Sequence, residues 1–304
     1  MSKKVAVIGA GYVGSSIAYT LLIKSIANEV VLIDKNEEKC FAEISDIRHG
    51  IPSMGSSCIY SGSYEDIKDC DLIIITAGRN RRPGETRMDL MTDNLSTTRL
   101  IADEIKKHYT GGVVLIVTNP VDIITKKMTQ WLDLPTGRVF GTGCLLDSSR
   151  LICIIAEYIG VQTDSVSAYI IGLHGEGQVI LWSKVLIDGK PVTFEINTQK
   201  EIEDRVTGMG TSIIKGKSRT HYGIAISIGF IADTILNDQS VTLSVSSVLS
   251  GEYGVHDIAL SLPSIVNSKG IERVLTETLS KEEYTRFKQV AAHMKKRIVD
   301  TPNS

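Results

Sequence analysis

The chain has 304 residues, 42% of them hydrophobic and 22% charged, with a formal net charge of −2 at pH 7. That length and composition describe a globular protein of one large domain or two ordinary ones, able to bury a sizeable core. The near-zero net charge excludes a general attraction to nucleic acid or to an anionic membrane.

Residues 1–14, MSKKVAVIGAGYVG, start basic and turn apolar. The apolar run breaks at glycines after about six residues, too short for a signal-peptide core or a membrane span. Four runs in the first half, VAVIGA, EVVLID, DLIIITAG and VVLIVTNP, are continuously apolar and rich in β-branched residues. Such runs are strands buried on both faces of a parallel sheet, and stretches at helical spacing lie between them, such as Ser15–Lys24 and Leu90–His108. The alternation predicts an α/β doubly wound parallel sheet over residues 1–143. After Gly143 the pattern changes to longer helices near Leu146–Ile159, Glu201–Lys215 and Lys281–Val299, mixed with alternating strands such as VTLSVSSVL. Residues 144–304 therefore read as an α+β domain packed tightly on the first, with no long linker between them.

The five cysteines, Cys40, Cys58, Cys70, Cys144 and Cys153, are odd in number and lack Cys-x-x-Cys spacing. Reduced thiols in a cytoplasmic protein, with no metal site, are the expectation.

Gly9-Ala-Gly11-Tyr-Val-Gly14 closes the first strand and opens the first helix. The glycines allow a tight turn, close backbone approach to a pyrophosphate and close helix-to-strand packing, while the helix N-terminus supplies amide donors. Asp34 ends the next strand, where a carboxylate hydrogen-bonds a ribose 2′-hydroxyl and repels a 2′-phosphate, so NAD is expected over NADP. This is the pattern of a Rossmann NAD-binding domain. An S-adenosylmethionine-dependent methyltransferase can also combine a glycine turn with an acid after the second strand, but Gly14 argues against it.

GTGCLLDSSR places Asp147 and Arg150 three residues apart at the start of a helix, so both side chains can leave one face. His174 lies in IIGLHGEG, among glycines. A carboxylate on one ring nitrogen would fix the tautomer and leave the other nitrogen to exchange a proton with a substrate. Spacing alone does not choose between that pair and a surface histidine in a flexible turn. The loop GRNRRPGETRMD carries four arginines, a local cationic feature on a nearly neutral chain that suits a small anionic ligand.

GAGYVG, AGRNRRPGETRMDL, VTNPVDI, GTGCLLDSSR, IIGLHGEG, THYGIA and LSLPSIV together resemble, from end to end, the NAD-dependent L-lactate and L-malate dehydrogenases. The resemblance implies that His174 exchanges the proton and Asp147 orients it, and that Arg150 holds the substrate carboxylate through a two-pronged contact. It also implies that Arg87 polarises the substrate carbonyl. Asn119 would line both nicotinamide and substrate, Thr220 the substrate pocket, and Thr76, Ala77 and Gly78 the cofactor site together with Gly9, Gly11, Gly14 and Asp34. A homodimer or homotetramer acting on a small 2-keto or 2-hydroxy acid is implied as well.

Within that family, the position of Arg81 faces the variable group of the substrate. A guanidinium there can pair with the distal carboxylate of oxaloacetate but meets only a methyl group in pyruvate, so a preference for malate/oxaloacetate is expected. Glu85 and the second half, which looks more like the lactate branch, point the other way. Glu85 could neutralise Arg81, and pyruvate/lactate is the alternative; a non-catalytic NAD-binding protein is a third reading. Arg79 and Arg82 receive no catalytic role. Ile152 and Ser167 replace the arginine and histidine of many lactate dehydrogenases that respond to fructose 1,6-bisphosphate, so no activation by that sugar phosphate is expected. Leu173 replaces the glutamate that commonly precedes the histidine in lactate enzymes, giving a more apolar pocket wall.

Overall fold

The computed structural model describes residues 3–50, 57–79, 87–175 and 177–299. Arg81 and Glu85, the two residues that bear on the choice of substrate, lie outside those residues, as does Arg82, and of Arg87 only the backbone is described.

The apolar runs of the first half form β1 (Lys4–Ile8), β2 (Glu29–Ile33), β3 (Cys58–Ser61), β4 (Leu72–Ile75), β5 (Val113–Ile116) and β6 (Val139–Gly141). Every residue of β4 and β5 is buried, as runs without polar alternation require when helices cover both faces. The strands pair in parallel in the order β3-β2-β1-β4-β5-β6. Between them run α1 (Tyr12–Ile23), α2 (Glu37–Gly50), α3 (Arg87–His108) and α4 (Val121–Leu132). The order reverses between β1 and β4, and that is where an open α/β sheet leaves a crevice beyond the carboxyl ends of its strands.

The second half adds α5 (Leu145–Ile159), the strands β7 (Val166–Ser167), β8 (Ile170–Gly172), β9 (Gln178–Ile180), β10 (Leu186–Ile187) and β11 (Lys190–Pro191), and then α6 (Ile196–Lys217) and α7 (Tyr222–Leu236). The long hairpin β12 (Val241–Ser250) and β13 (His256–Asn267), the strand β14 (Gly270–Val274) and α8 (Lys281–Val299) follow. The predicted change of pattern after Gly143 falls between β6 and α5, yet the sheet does not stop there. β12 pairs antiparallel with β6 through Ser246 and Gly141, and the sheet continues through β13, β8 and β9 to eleven strands.

The run VTLSVSSVL differs from a half-solvated alternating strand in one respect: Ser244, Ser246 and Ser247 are all buried. β12 sits in the interior of the sheet, where neighbouring backbones come too close for larger side chains. A Cβ on Gly141 would lie 2.3 Å from Thr125 Oγ1, and one on Gly143 would lie 2.3 Å from Ser261 Oγ. The small hydroxyls also serve local backbone groups. Ser244 Oγ donates to the Ile170 carbonyl, and Ser261 Oγ accepts the Cys144 N–H at 3.0 Å.

One apolar cluster gathers residues of β1, β4, α3 and α4 with Leu173, Leu260 and Phe287, and a second gathers α1 and α7 on the other face. At roughly 1.5–3 kcal/mol per buried aliphatic side chain, these clusters hold the two halves as one body around the crevice.

Candidate active site

The glycine turn is built as its spacing requires. Gly9 has φ +113°, and a Cβ on Gly14 would lie 1.8 Å from the Gly9 carbonyl oxygen, so α1 packs directly on the end of β1. Gly11 differs from these neighbours, because a Cβ there would meet no atom within 4 Å among the described residues. It is the N-cap of α1 and has no side-chain cap, so the first amides of the helix face that open space. A surface made of backbone at a helix N-terminus fits a pyrophosphate. Asp34 Oδ2 accepts the Ala10 N–H at 2.6 Å, and Oδ1 accepts the Asn36 N–H at 2.9 Å. The carboxylate is thus fixed beside the turn, where its charge opposes a 2′-phosphate.

The adjoining strand ends complete this wall. Thr76 Oγ1 donates to the Gly9 carbonyl at 3.0 Å, the Ala77 N–H donates to the Ile8 carbonyl at 2.9 Å, and a Cβ on Gly78 would press on Thr118 Cγ2 at 2.6 Å. Thr76 and Ala77 therefore pack on the glycine turn, and Gly78 packs on Thr118 and Asn94. Asn94, buried on α3, was not anticipated. Its amide donates to the Asn119 carbonyl at 2.8 Å and to the Arg79 carbonyl, and its Oδ1 accepts the Arg79 N–H at 2.9 Å. It fastens the Asn119 turn to the start of the cationic loop. Arg79 itself reaches Asp93 at 2.7 Å.

Across the crevice, His174 stands on the loop between β8 and β9. Gly172, at φ +94°, turns that loop so tightly that a Cβ would lie 2.6 Å from the Gly177 carbonyl oxygen. His174 Nδ1 lies 2.6 Å from Asp147 Oδ2, and Arg150 Nη1 donates to Asp147 Oδ1 at 2.8 Å. Both Asp147 and Arg150 come from the first turns of α5, and the Asp147 carboxylate is completely buried while His174 keeps partial exposure. Burial alone would depress the basicity of His174, but the paired Asp147 carboxylate outweighs it and raises the imidazole above its usual value. Asp147 answers in kind: burial would raise it, yet His174 and Arg150 hold its carboxyl below the usual range. An imidazolium clamped to a buried carboxylate, with its other nitrogen toward a cleft, can give a proton to a bound substrate and take one back. Arg150 Nε is buried and has no hydrogen-bond partner among the described residues.

A cleft of about 800 Å³ opens beside His174, lined by Leu90 and Met91 of α3, by Asn119 and Asp122, and by Leu173 and Gln178 among others. Leu173 is buried and gives the apolar wall that the sequence predicted. Arg87 is the first residue of α3, one turn of chain before Leu90 of the cleft wall. Thr220 lies in the turn between α6 and α7 and is not among the residues lining this cleft.

The fold and site thus define a dinucleotide-dependent oxidoreductase, with a backbone-lined glycine turn at the end of β1 and a histidine paired to a buried carboxylate on the loop after β8. Residues 3–141 match the lactate/malate dehydrogenase, NAD binding domain, and residues 144–303 match the lactate/malate dehydrogenase, alpha/beta C-terminal domain. The chain belongs to the lactate/malate dehydrogenase family, and its cofactor is NAD. Over 303 residues it is 39% identical to the L-lactate dehydrogenase of Thermoanaerobacterium saccharolyticum, covering 96% of this chain and 97% of that one. It is 38% identical to the L-lactate dehydrogenase of Priestia megaterium, with 97% and 95% covered. Among solved structures, the minor L-lactate dehydrogenase of Enterococcus mundtii in its ligands-bound form superposes with a TM-score of 0.96 at 37% identity, over 100% of this chain and 99% of that one. All three of these relatives are named for lactate.

Proposed function

We propose that the protein is an NAD-dependent L-lactate dehydrogenase that interconverts pyruvate and L-lactate. The observation that carries this reading is the 2.6 Å contact between His174 and buried Asp147 with Arg150 braced on the same carboxylate, on the rim of a cleft that also meets the Asn119 turn. When bound, NAD supplies a nicotinamide that gives or takes a hydride. Gly9, Gly11, Gly14, Asp34, Thr76, Ala77, Gly78 and Asn119 hold it. His174 protonates the substrate oxygen during reduction and recovers the proton during oxidation, and Asp147 keeps the ring in the tautomer and orientation for both. Arg150 binds the substrate carboxylate and Arg87 polarises the carbonyl; Thr220, outside the lining of the cleft beside His174, has only the family resemblance behind a place at the substrate.

The names of the relatives support lactate over malate. The physical counterpart is Glu85, four residues from Arg81, which can pair with that guanidinium so that it no longer demands a second substrate carboxylate. The domain limits follow the same reading, with NAD bound by residues 1–143 and the catalytic residues of 144–304 facing it. A homodimer or homotetramer is supported by exposed Tyr222, Ile226 and Phe230 at four-residue spacing on α7, next to exposed Tyr19 and Ile23 of α1. All five cysteines are free, which suits a reducing cytoplasm.

The deciding experiment follows NADH absorbance with pyruvate and with oxaloacetate under identical conditions. A kcat/KM at least about tenfold higher for pyruvate supports lactate. The reverse ratio restores malate, and no oxidation with either supports a non-catalytic NAD-binding protein.

A further inference from the structure

His174 is held at two points, by two different buried carboxylates. Asp147 takes its ring, whereas Asp122 Oδ2 accepts its backbone N–H at 3.0 Å. Asp122 stands in the first turn of α4, three residues after Asn119, is only 4% exposed, and lines the same cleft as His174. The two carboxylates come from opposite sides of the crevice: Asp147 from α5, beside the histidine loop, and Asp122 from the half that carries the glycine turn.

The histidine loop needs such a tie. Gly172, Gly175 and Gly177 all have positive φ, so its backbone has wide conformational latitude, and the ring's contact with Asp147 leaves the position of the main chain open. Asp122, by contrast, is rigidly placed, because α4 is packed against β12 and β13 and the preceding Asn119 carbonyl is fastened by Asn94. The first turn of a helix is also the place where a buried negative charge is best tolerated.

We propose that Asp122 is a positioning residue that registers the His174 imidazole against the Asn119 turn, and that its negative charge assists Asp147 in holding the protonated ring. This rests on the reading of His174 as the proton donor. An uncharged acceptor could satisfy the same backbone N–H, so the two parts of the proposal are separable by substitution. Among the described residues, the charged groups facing His174 are Asp147 and Arg150 from α5 and Asp122 from α4, with the Glu203–Arg286 pair of α6 and α8 and Arg297 of α8 on the wall of the cleft. Asp122 works in the same direction as Asp147 on the ring, while burial and Arg150 oppose them. Burial pushes the Asp122 carboxyl itself upward, against the pull of the His174 N–H.

Asp122→Asn keeps a carbonyl for the backbone N–H and removes the charge; Asp122→Ala removes both. In the full-length protein without ligand, the His174 Cε1–H resonance, assigned by its loss in His174→Asn, is followed by NMR against pH. Asp122→Asn lowers its midpoint by roughly 0.5–1 pH unit. In turnover, Asp122→Ala lowers kcat by about 10- to 100-fold and Asp122→Asn by clearly less, with NADH affinity unchanged within about twofold in both. A midpoint unmoved by Asp122→Asn, or equal kcat losses in the two variants, overturns the proposal. If Asp122→Ala does not fold, the titration of Asp122→Asn alone decides. A parent enzyme that turns over neither keto acid defeats the functional reading, while the titration still judges the contact on its own.

Discussion

His174 Nδ1 lies 2.6 Å from Asp147 Oδ2, although the residues are 27 positions apart and sit on different elements. The contact fixes which ring nitrogen faces the cleft, and the buried carboxylate raises the basicity of the imidazole above its usual value. His174→Asn preserves the size of the side chain and its place beside Asp147 but cannot exchange a proton. It is expected to bind NADH with parental affinity, measured by fluorescence titration, and to lose about 10²- to 10⁴-fold in kcat for pyruvate. Parental turnover would remove His174 from the chemistry.

Arg150 Nη1 donates to Asp147, and in the function proposed above the rest of the guanidinium takes the substrate carboxylate. Lysine can supply charge but not the two-pronged geometry. Arg150→Lys is therefore expected to raise KM for pyruvate by about tenfold or more while leaving NADH binding intact, as steady-state kinetics would report. Loss of NADH binding instead would make the residue structural.

The three glycines of the turn do not share one reason for being glycine. Gly14→Ala drives a methyl group into the Gly9 carbonyl, at a nominal 1.8 Å, and is expected to lower the melting temperature with or without NADH. Gly11→Ala meets no atom within 4 Å among the described residues, so its melting temperature without cofactor stays at the parental value. Its methyl group instead occupies the space a pyrophosphate needs, and the Kd for NADH rises by about tenfold or more. Differential scanning fluorimetry with and without NADH separates the two cases.

What the sequence disclosed follows from how local each signal is. The parallel strands and the glycine turn were legible because uninterrupted apolar runs and G-x-G-x-x-G encode their surroundings within a few residues, and α8 begins and ends where its periodicity placed it. The pairing of His174 with Asp147 was not legible from spacing, because it is made only when β8 is brought beside α5; the family resemblance supplied it. Asp122 and Asn94 carried weaker signals still. Asp122 reads as an ordinary acid in a helix's first turn, and Asn94 as one polar residue on an amphipathic helix, until the fold buries both against backbone groups distant in sequence. The serines of β12 showed only an alternating strand for a related reason: their burial depends on the close approach of Gly141 and Gly143 from the other half.

Substrate choice turns on a residue that two opposed arguments share. If Arg81 is neutralised by Glu85, Arg81→Gln changes kcat/KM for pyruvate by less than about threefold and mainly removes residual activity with oxaloacetate. Competition between the two keto acids in one NADH assay measures this. A large loss with pyruvate would mean that the guanidinium serves the lactate reaction itself.

The central claim is that the His174–Asp147 pair moves the proton that accompanies hydride transfer. The sign of its pH dependence follows from the raised basicity of His174: pyruvate reduction needs the protonated ring and declines as pH rises through the folded-state pKa, while lactate oxidation grows over the same interval. Asp147→Asn removes the carboxylate that raises that pKa. The most direct measurement is the pH profile of kcat/KM for pyruvate in the parent and in Asp147→Asn. The descending limb is expected at lower pH in the variant; a limb that stays in place, whatever happens to the absolute rate, would remove the His174–Asp147 pair from the proton step.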